Sequence, residues 1–240
     1  MKKRHIEKRM NKIGTLSEKS IHRTLKEFIE NDKSKHEVAV GRFIADICYK
    51  DRKEIVEIQT KSFKNLIPKL EYYLRNGYTV KIVYPLILNK DIHWIDKESN
   101  EVVEVRKSSK KGKIQDIFRE LYWVYRYIIN EKVELEIYGL NAAETKYLDG
   151  YGANQKKRAT KIDKEPTEII GYTAIRNKED FIKFIPETLR NKEFTSSEYK
   201  KVIKSNDKYL SSGLKILREI GIIQIVGKKG NSFVYKCIHN

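Results

Sequence analysis

Cysteine is nearly missing from this 240-residue sequence. The two present, Cys48 and Cys237, have neither metal-ligand nor disulfide-framework spacing and read as small buried hydrophobes in a reducing cytoplasm. No apolar run approaches the roughly 20 residues of a membrane span, which argues against an integral membrane protein. The basic start Met1-Lys2-Lys3-Arg4-His5 is followed by no apolar stretch, which argues against a secretory signal. The five histidines do not cluster, against a zinc enzyme. Gly112, Gly150 and Gly152 form no phosphate-binding loop, so no nucleotide cofactor is expected. Internal repeats, low-complexity tracts and a Ser/His/Asp set are missing as well.

What is abundant is positive charge. Fifty Lys+Arg against 33 Asp+Glu leave a net +17. The surplus is clustered in residues 1–12, in Arg106-Lys107-Ser-Ser-Lys110-Lys111-Gly-Lys113, in 156–161, and in 188–240. A polyanion is the simplest partner, because each neutralised phosphate releases a condensed counterion. No basic amphipathic anchor stands out, which favours nucleic acid over a membrane surface. A solvated lysine-rich surface is the bland alternative. Hydrophobic residues at 40% suffice for a real core.

Periodicity predicts a first helix from Thr15–Ser17 to about Glu30, with Ile21, Leu25, Phe28 and Ile29 at helical spacing. Strands are expected at 38–40 and 43–49 around Gly41, and at 54–61 after a polar turn. A helix over 65–74 and a strand over 78–84, stopped by Pro85, follow. A hairpin is expected from 92–96 and 102–105, then an aromatic-rich helix over 113–129 and a strand over 133–140. Tyr72, Tyr73, Trp94 and the aromatics of 118–127, Trp123 included, follow helical or strand spacing and read as core rather than as base-stacking platforms. Residues 141–176 read as irregular, functional or linking. A domain boundary is expected near 177–188. Beyond it come a helix over 195–203, a turn, a helix over 207–220 ended by Gly221, and strands 222–226 and 233–237 around a basic turn. Helix–turn–helix followed by a basic hairpin is the layout of a winged helix.

One constellation could carry chemistry. On a strand running 54–61, Ile55, Glu57, Gln59 and Lys61 share a face, opposite Val56, Ile58 and Thr60. Asp46 is a lone acid in an otherwise apolar strand, where it costs desolvation unless something is gained. Two carboxylates converging from adjacent strands can hold Mg2+, which prefers oxygen ligands and polarises a phosphate oxygen. A nearby lysine can stabilise the charge that develops on phosphorus. Glu18, four residues before His22 on the first helix, could reach the same cluster, with His22 either structural or on a phosphate. The alternative is a solvent-facing Glu/Gln/Lys row with Asp46 paired to Arg42 or Lys61.

The order helix-β-β-β-helix-β, with Glu18, Asp46 and then Glu57-Ile58-Gln59-Thr60-Lys61, resembles the PD-(D/E)XK nuclease superfamily over residues 13–90. Ala45-Asp46 stands for the Pro-Asp pair, and Glu57 follows eleven residues after Asp46. Anchored on Glu57, the motif has Gln59 in place of lysine. Shifted by two, it reads Gln59-x-Lys61, which resembles the nuclease subunit of heteromeric transposases.

The resemblance implies an α/β fold with a mixed central sheet flanked by helices, spanning residues 1–176. A small winged-helix domain at 188–240 would follow. It implies a Mg2+-dependent deoxyribonuclease, with Mn2+ able to substitute. Asp46, Glu57 and Glu18 would be ligands, Lys61 the transition-state stabiliser and Gln59 an orienting group. Duplex DNA is the expected partner, with a homodimer left open. Lys107, Lys110 and Lys111 in the basic run, Lys208 and Lys215 on the longer helix, and Lys228 and Lys229 in the wing are the expected backbone contacts. A non-catalytic DNA-binding regulator or assembly factor on the same platform is the alternative.

Overall fold

The computed structural model describes residues 17–130, 132–151, 157–205 and 208–238, except for the side chains of 17–19, 151 and 157–158. The basic arm of residues 1–12 and Lys156 lie outside them.

The chain is a mixed α/β structure with a seven-stranded mixed sheet. α1 (Ser17–Ile29) leads into β1 (His36–Val40), β2 (Phe43–Tyr49) and β3 (Glu54–Ile58). α2 (Ile67–Arg75) follows a 3-10 turn, and β4 (Thr79–Asp96) and β5 (Val102–Lys107) come next. α3 (Phe118–Asn130) precedes β6 (Val133–Tyr151) and β7 (Lys157–Ile175). The strand order is β1-β2-β3-β4-β6-β7, with β5 also on β4. β3 and β6 run parallel to β4, while the hairpins β1–β2 and β6–β7 are antiparallel. Gly41 turns β1 into β2 at φ +59, where a Cβ would overlap the Tyr72 hydroxyl.

Alternation along the strands splits the core into two faces. Ile47, Val56, Ile58 and Val83 pack with Ile21 and Leu25 of α1. Ile55, Val80, Ile82 and Leu135 pack with Leu70 and Tyr73 of α2 and with Leu121 and Val124 of α3. Each fully buried Ile or Leu contributes about 2 kcal/mol of transfer free energy. With α1 packed on one face of β3 and α2 on the other, both its faces are buried, and no solvent-facing row of side chains exists along it.

Two expectations about the strands are corrected. Pro85 does not end a strand, since β4 runs through it to Asp96. Val83 accepts the last bond from the β3 side, from Gln59 N–H at 2.8 Å, so two residues later Pro85 points its missing donor at an edge β3 has already left. Residues 141–176 are likewise not irregular. Among the described residues, 141–151 form the second half of β6 and 157–175 the whole of β7, two 19-residue strands paired to each other. β7 is the sheet edge, which tolerates Pro166 beside a register shift and leaves its polar side chains in water.

The remaining chain forms α4 (Glu187–Arg190), β8 (Phe194–Thr195), α5 (Ser196–Ile203), α6 (Leu210–Glu219), β9 (Ile223–Lys229) and β10 (Ser232–Cys237). A second, three-stranded sheet has the order β8-β10-β9. Thr195 and Glu198 form a reciprocal capping box at the start of α5. The stretch expected to hold a boundary buries Phe181 and Phe184 in the main core. Gly213 of α6 lies so close to α3 that a Cβ there would sit 2.2 Å from the Phe118 ring. Both cysteines are free and buried. No helix among the described residues is long and apolar enough to cross a membrane.

Candidate functional site

The β2–β3 ladder pairs Tyr49 with Glu54, Cys48 with Ile55 and Ile47 with Val56, and stops there. Asp46 and Glu57 are the next residues on the two strands, so the two predicted acids meet where the strands part. In place of a ladder bond, the Ile58 N–H donates to Asp46 Oδ2 at 2.7 Å. His22 Nε2, from α1, lies 3.1 Å from the same oxygen. Burial pushes the Asp46 carboxyl up, but the His22 hydrogen bond and charge, with the Ile58 N–H, outweigh it and hold the group below its usual value.

Glu57 is fully buried on the face that carries Ile55. Lys69 Nζ of α2 donates to its Oε2 at 2.8 Å, and the Tyr73 hydroxyl donates to Oε1 at 3.2 Å. Burial first, and the Asp46 charge second, push the Glu57 carboxyl up to about 7 against the pull of Lys69 and Tyr73. The Tyr73 phenol is pushed up by burial and by Glu57. Asp46 and Glu57 are thus two largely buried carboxylates, each with a basic side chain at hydrogen-bond distance, His22 and Lys69. Both are hard oxygen donors, so the pair fits a divalent cation of the Mg2+ class.

The other predicted members stand differently. β3 ends at Ile58, so Gln59 and Lys61 lie in the bend after it and do not continue the Glu57 face by strand alternation. Gln59 is half-buried and Lys61 exposed. The strand stops early because the Ile58 N–H goes to Asp46 and the chain then turns toward the 3-10 turn at Phe63, whose N–H donates to Glu120 Oε2 at 2.9 Å. The backbone of Glu18 is in α1, but its side chain lies outside the described residues. The cation beside Glu57 is Lys69, twelve residues along on another element, which sequence reasoning missed. Its only trace was α2 itself, on which Lys69 lies four residues before Tyr73.

A second charged cluster was also missed. Glu144 on β6 is buried among Lys90, Lys146 and Lys161, with Lys146 at 3.4 Å and Lys161 at 3.5 Å. Burial alone would raise its carboxyl, but the lysines hold it below its usual value. Glu144 faces a cleft of about 220 Å3 that also holds Ile21 of α1 and Thr60 of the bend after β3.

The predicted basic contacts are brought together in part. Lys110 and Lys111 line a groove of about 550 Å3 whose opposite wall is the end of α5, Val202 to Ser205. Lys113 crosses it and donates to the carbonyls of Ile203 and Lys204, tying the basic loop to the α5 terminus. Lys107 and Lys111 line an adjoining cleft of about 380 Å3 with Lys90 and Asn141. Lys215 is exposed on α6, 3.7 Å from Glu219. Lys208 lies in the turn before α6 rather than on it, since the helix starts at Leu210. Lys228 sits over the Phe233 ring at 5.4 Å, and Lys229 lies 3.9 Å from Glu198.

The aromatic assignment also needs correction. Phe118 and Tyr125 are core, but Tyr122 is 55% and Trp123 37% exposed. They lie on the side of α3 turned away from the sheet.

Fold and site together define a mixed α/β protein with a buried acid pair on its central strands and a basic helical unit packed against it. The chain belongs to the family described as Domain of unknown function (DUF8091), whose model matches residues 19–176 and so ends one residue beyond β7. It is 29% identical over 166 residues to an uncharacterized protein of Treponema pallidum (strain Nichols), a match covering 69% of this chain and 65% of that relative. The chain thus spans a little under two thirds of that relative's length. No solved structure matches it.

Proposed function

We propose that the chain is a Mg2+-dependent deoxyribonuclease of the PD-(D/E)XK kind, docked on duplex DNA by a C-terminal winged helix. The observation that carries this reading is the meeting of Asp46 and Glu57 at the point where β2 and β3 part, with Lys69 on Glu57. Asp46 and Glu57 would hold the divalent ion. Lewis-acid polarisation of a phosphodiester oxygen is the chemistry such an ion supplies when bound there.

The chain's own residues prepare that position. The Ile58 N–H and His22 fix the Asp46 carboxylate in its ionised form. Tyr73 fixes the orientation of Glu57, and Lys69 favours its ionisation. The Lys69 ammonium, 23% exposed, also places a positive charge beside the carboxylates where charge on phosphorus would build up. Lys61, exposed in the bend that leaves the site, remains the candidate for a phosphate contact in the scissile strand.

The docking reading is supported by the three-stranded order β8-β10-β9 behind α5 and α6, with the α6 inner face closed against α3. This leaves Lys215 exposed, together with Lys228 and Lys229, which lie at the end of β9 rather than in the turn at 230–231. The basic loop and the α5 end would carry the adjoining phosphates.

One observation favours a second reading, DNA binding without catalysis. Lys69 already neutralises the buried Glu57, which a purely structural ion pair would also do. Supercoiled plasmid incubated in EDTA, Mg2+ or Mn2+ separates the two. Metal-dependent nicking or linearisation that disappears in Asp46→Ala supports the nuclease. Equal retardation of DNA by both proteins without cutting in either metal replaces it with the binding-only reading.

A further inference from the structure

The exposed aromatic pair on α3 does not belong to the core, and cations stand around it. Tyr122 and Trp123 meet edge to face, with centroids 5.5 Å apart at 88°. Lys64 Nζ, from the turn after the acid-bearing strand, lies 5.3 Å from the Trp123 ring centroid. Across the cleft, Tyr209 at the start of α6 is flanked by Arg119 at 5.5 Å and Lys208 at 5.1 Å. The cleft between these walls measures about 370 Å3, and no carboxylate is among its lining residues. Arg119 also reaches Glu120, at 3.5 Å. Ser62, which follows Lys61 directly, forms the edge of the cleft toward the candidate site.

Aromatic faces ringed by cations match two chemistries at once, the π-face of an unpaired base and the phosphate beside it. A fully paired duplex offers only the second, because its bases are stacked on one another.

We propose that this cleft is a single-strand site. Unpaired bases of the DNA stack on Trp123 and Tyr122, while Lys64, Arg119 and Lys208 take their phosphates. The substrate class is therefore duplex DNA with an unpaired segment beside the cleavage position, such as a gap, a bubble or a flap. This rests on the DNA reading above and deepens it.

The two tryptophans make the test direct. Trp94 is buried and Trp123 is exposed, so a base stacking on the protein quenches Trp123 emission. The full chain is titrated in EDTA with a twelve-residue oligothymidylate and, separately, with a blunt duplex, following fluorescence and retardation. The expected result is quenching by the oligothymidylate. Trp123→Leu should abolish it and weaken oligothymidylate binding on the order of tenfold, with blunt-duplex affinity kept within about twofold. Lys64→Glu provides a surface variant that keeps the reporter, and it should weaken the oligothymidylate in the same selective way. Circular dichroism verifies that both variants fold. No quenching, or equal losses for oligothymidylate and duplex, overturns the proposal. Quenching that persists in Asp46→Ala, with no plasmid cleavage by either protein, upholds the single-strand site while removing the nuclease. Plasmid cleavage without quenching removes the single-strand site alone.

Discussion

Replacing Glu57 with glutamine tests the electrostatics of the acid pair without any substrate. Glu57 is fully buried, and burial together with Asp46 raises its carboxyl from the ordinary 4.5 to about 7. Between those values the folded protein keeps a proton that the unfolded chain has lost. Stability therefore falls as pH rises through this window, and the loss is complete above about 7. A displacement of this size corresponds to about 3 kcal/mol. Glutamine still accepts the Tyr73 hydrogen bond but has no proton to lose.

The assay is urea unfolding followed by circular dichroism, in EDTA, at intervals from pH 4.5 to 8. The wild-type curve minus the Glu57→Gln curve should slope downward by about 3 kcal/mol across that range. Other carboxyls raised by burial, Glu136 among them, are common to both proteins and cancel in the difference. Asp46, held low, changes only below the window. Parallel curves would refute the reasoning, because they would mean that Glu57 is ionised and fully compensated at every pH tested.

Three shorter predictions follow. Gly213→Val drives a side chain into the Phe118 ring and should destabilise the whole chain by about 3 kcal/mol, read as a lower urea midpoint for one cooperative transition; an early transition confined to the C-terminal helices would show that the two parts unfold independently. His22→Ala removes the foremost group holding Asp46 low, so the Asp46 carboxyl should titrate at higher pH by carbon NMR; an unmoved midpoint would assign the depression to the Ile58 N–H and the Lys69 charge instead. Lys110→Ala combined with Lys111→Ala should weaken duplex binding and flatten the plot of log affinity against log salt by about 2, and an unchanged slope would take that loop off the DNA.

What could be read from the sequence is what local chemistry decides. Asp46 and Glu57 stood out because a charge in an apolar strand is costly wherever the strand is buried. The α5 helix was legible from 195 onward, and the α6 end in Gly221, which adopts φ +72. What could not be read is what non-local pairing decides. Pro85 is a strand breaker unless one knows that β3 has already ended beside it. β7 carries polar residues along much of its length, and its pairing with β6 alone makes it a strand. Lys69 reaches Glu57 from a separate helix, whereas Gln59 and Lys61, its near neighbours in sequence, leave the strand. Tyr122 and Trp123 sit among aromatics at helical spacing, but periodicity does not reveal that only one side of α3 is covered.

That helix also decides how the two halves of the chain relate. α3 turns Leu121, Val124 and Ile128 toward the core shared with the large sheet, and Phe118 against Gly213 of α6. Gln115, just before α3, donates to the Phe184 carbonyl at 2.9 Å, and the Tyr199 hydroxyl of α5 donates to the same oxygen at 2.8 Å. Tyr125 reaches Glu219 at the end of α6 at 2.9 Å. These bonds and the buried aromatic contacts pack the helical unit directly against the elements that cover the large sheet. On the proposed nuclease reading, a substrate held by the helical unit would be presented to the acid pair through this packed contact rather than by a tethered module. Removing residues 188–240 would strip Phe118 and its neighbours of their cover, and any loss of DNA binding would then be inseparable from loss of the fold. Only side-chain substitutions on the outer surface separate the two contributions.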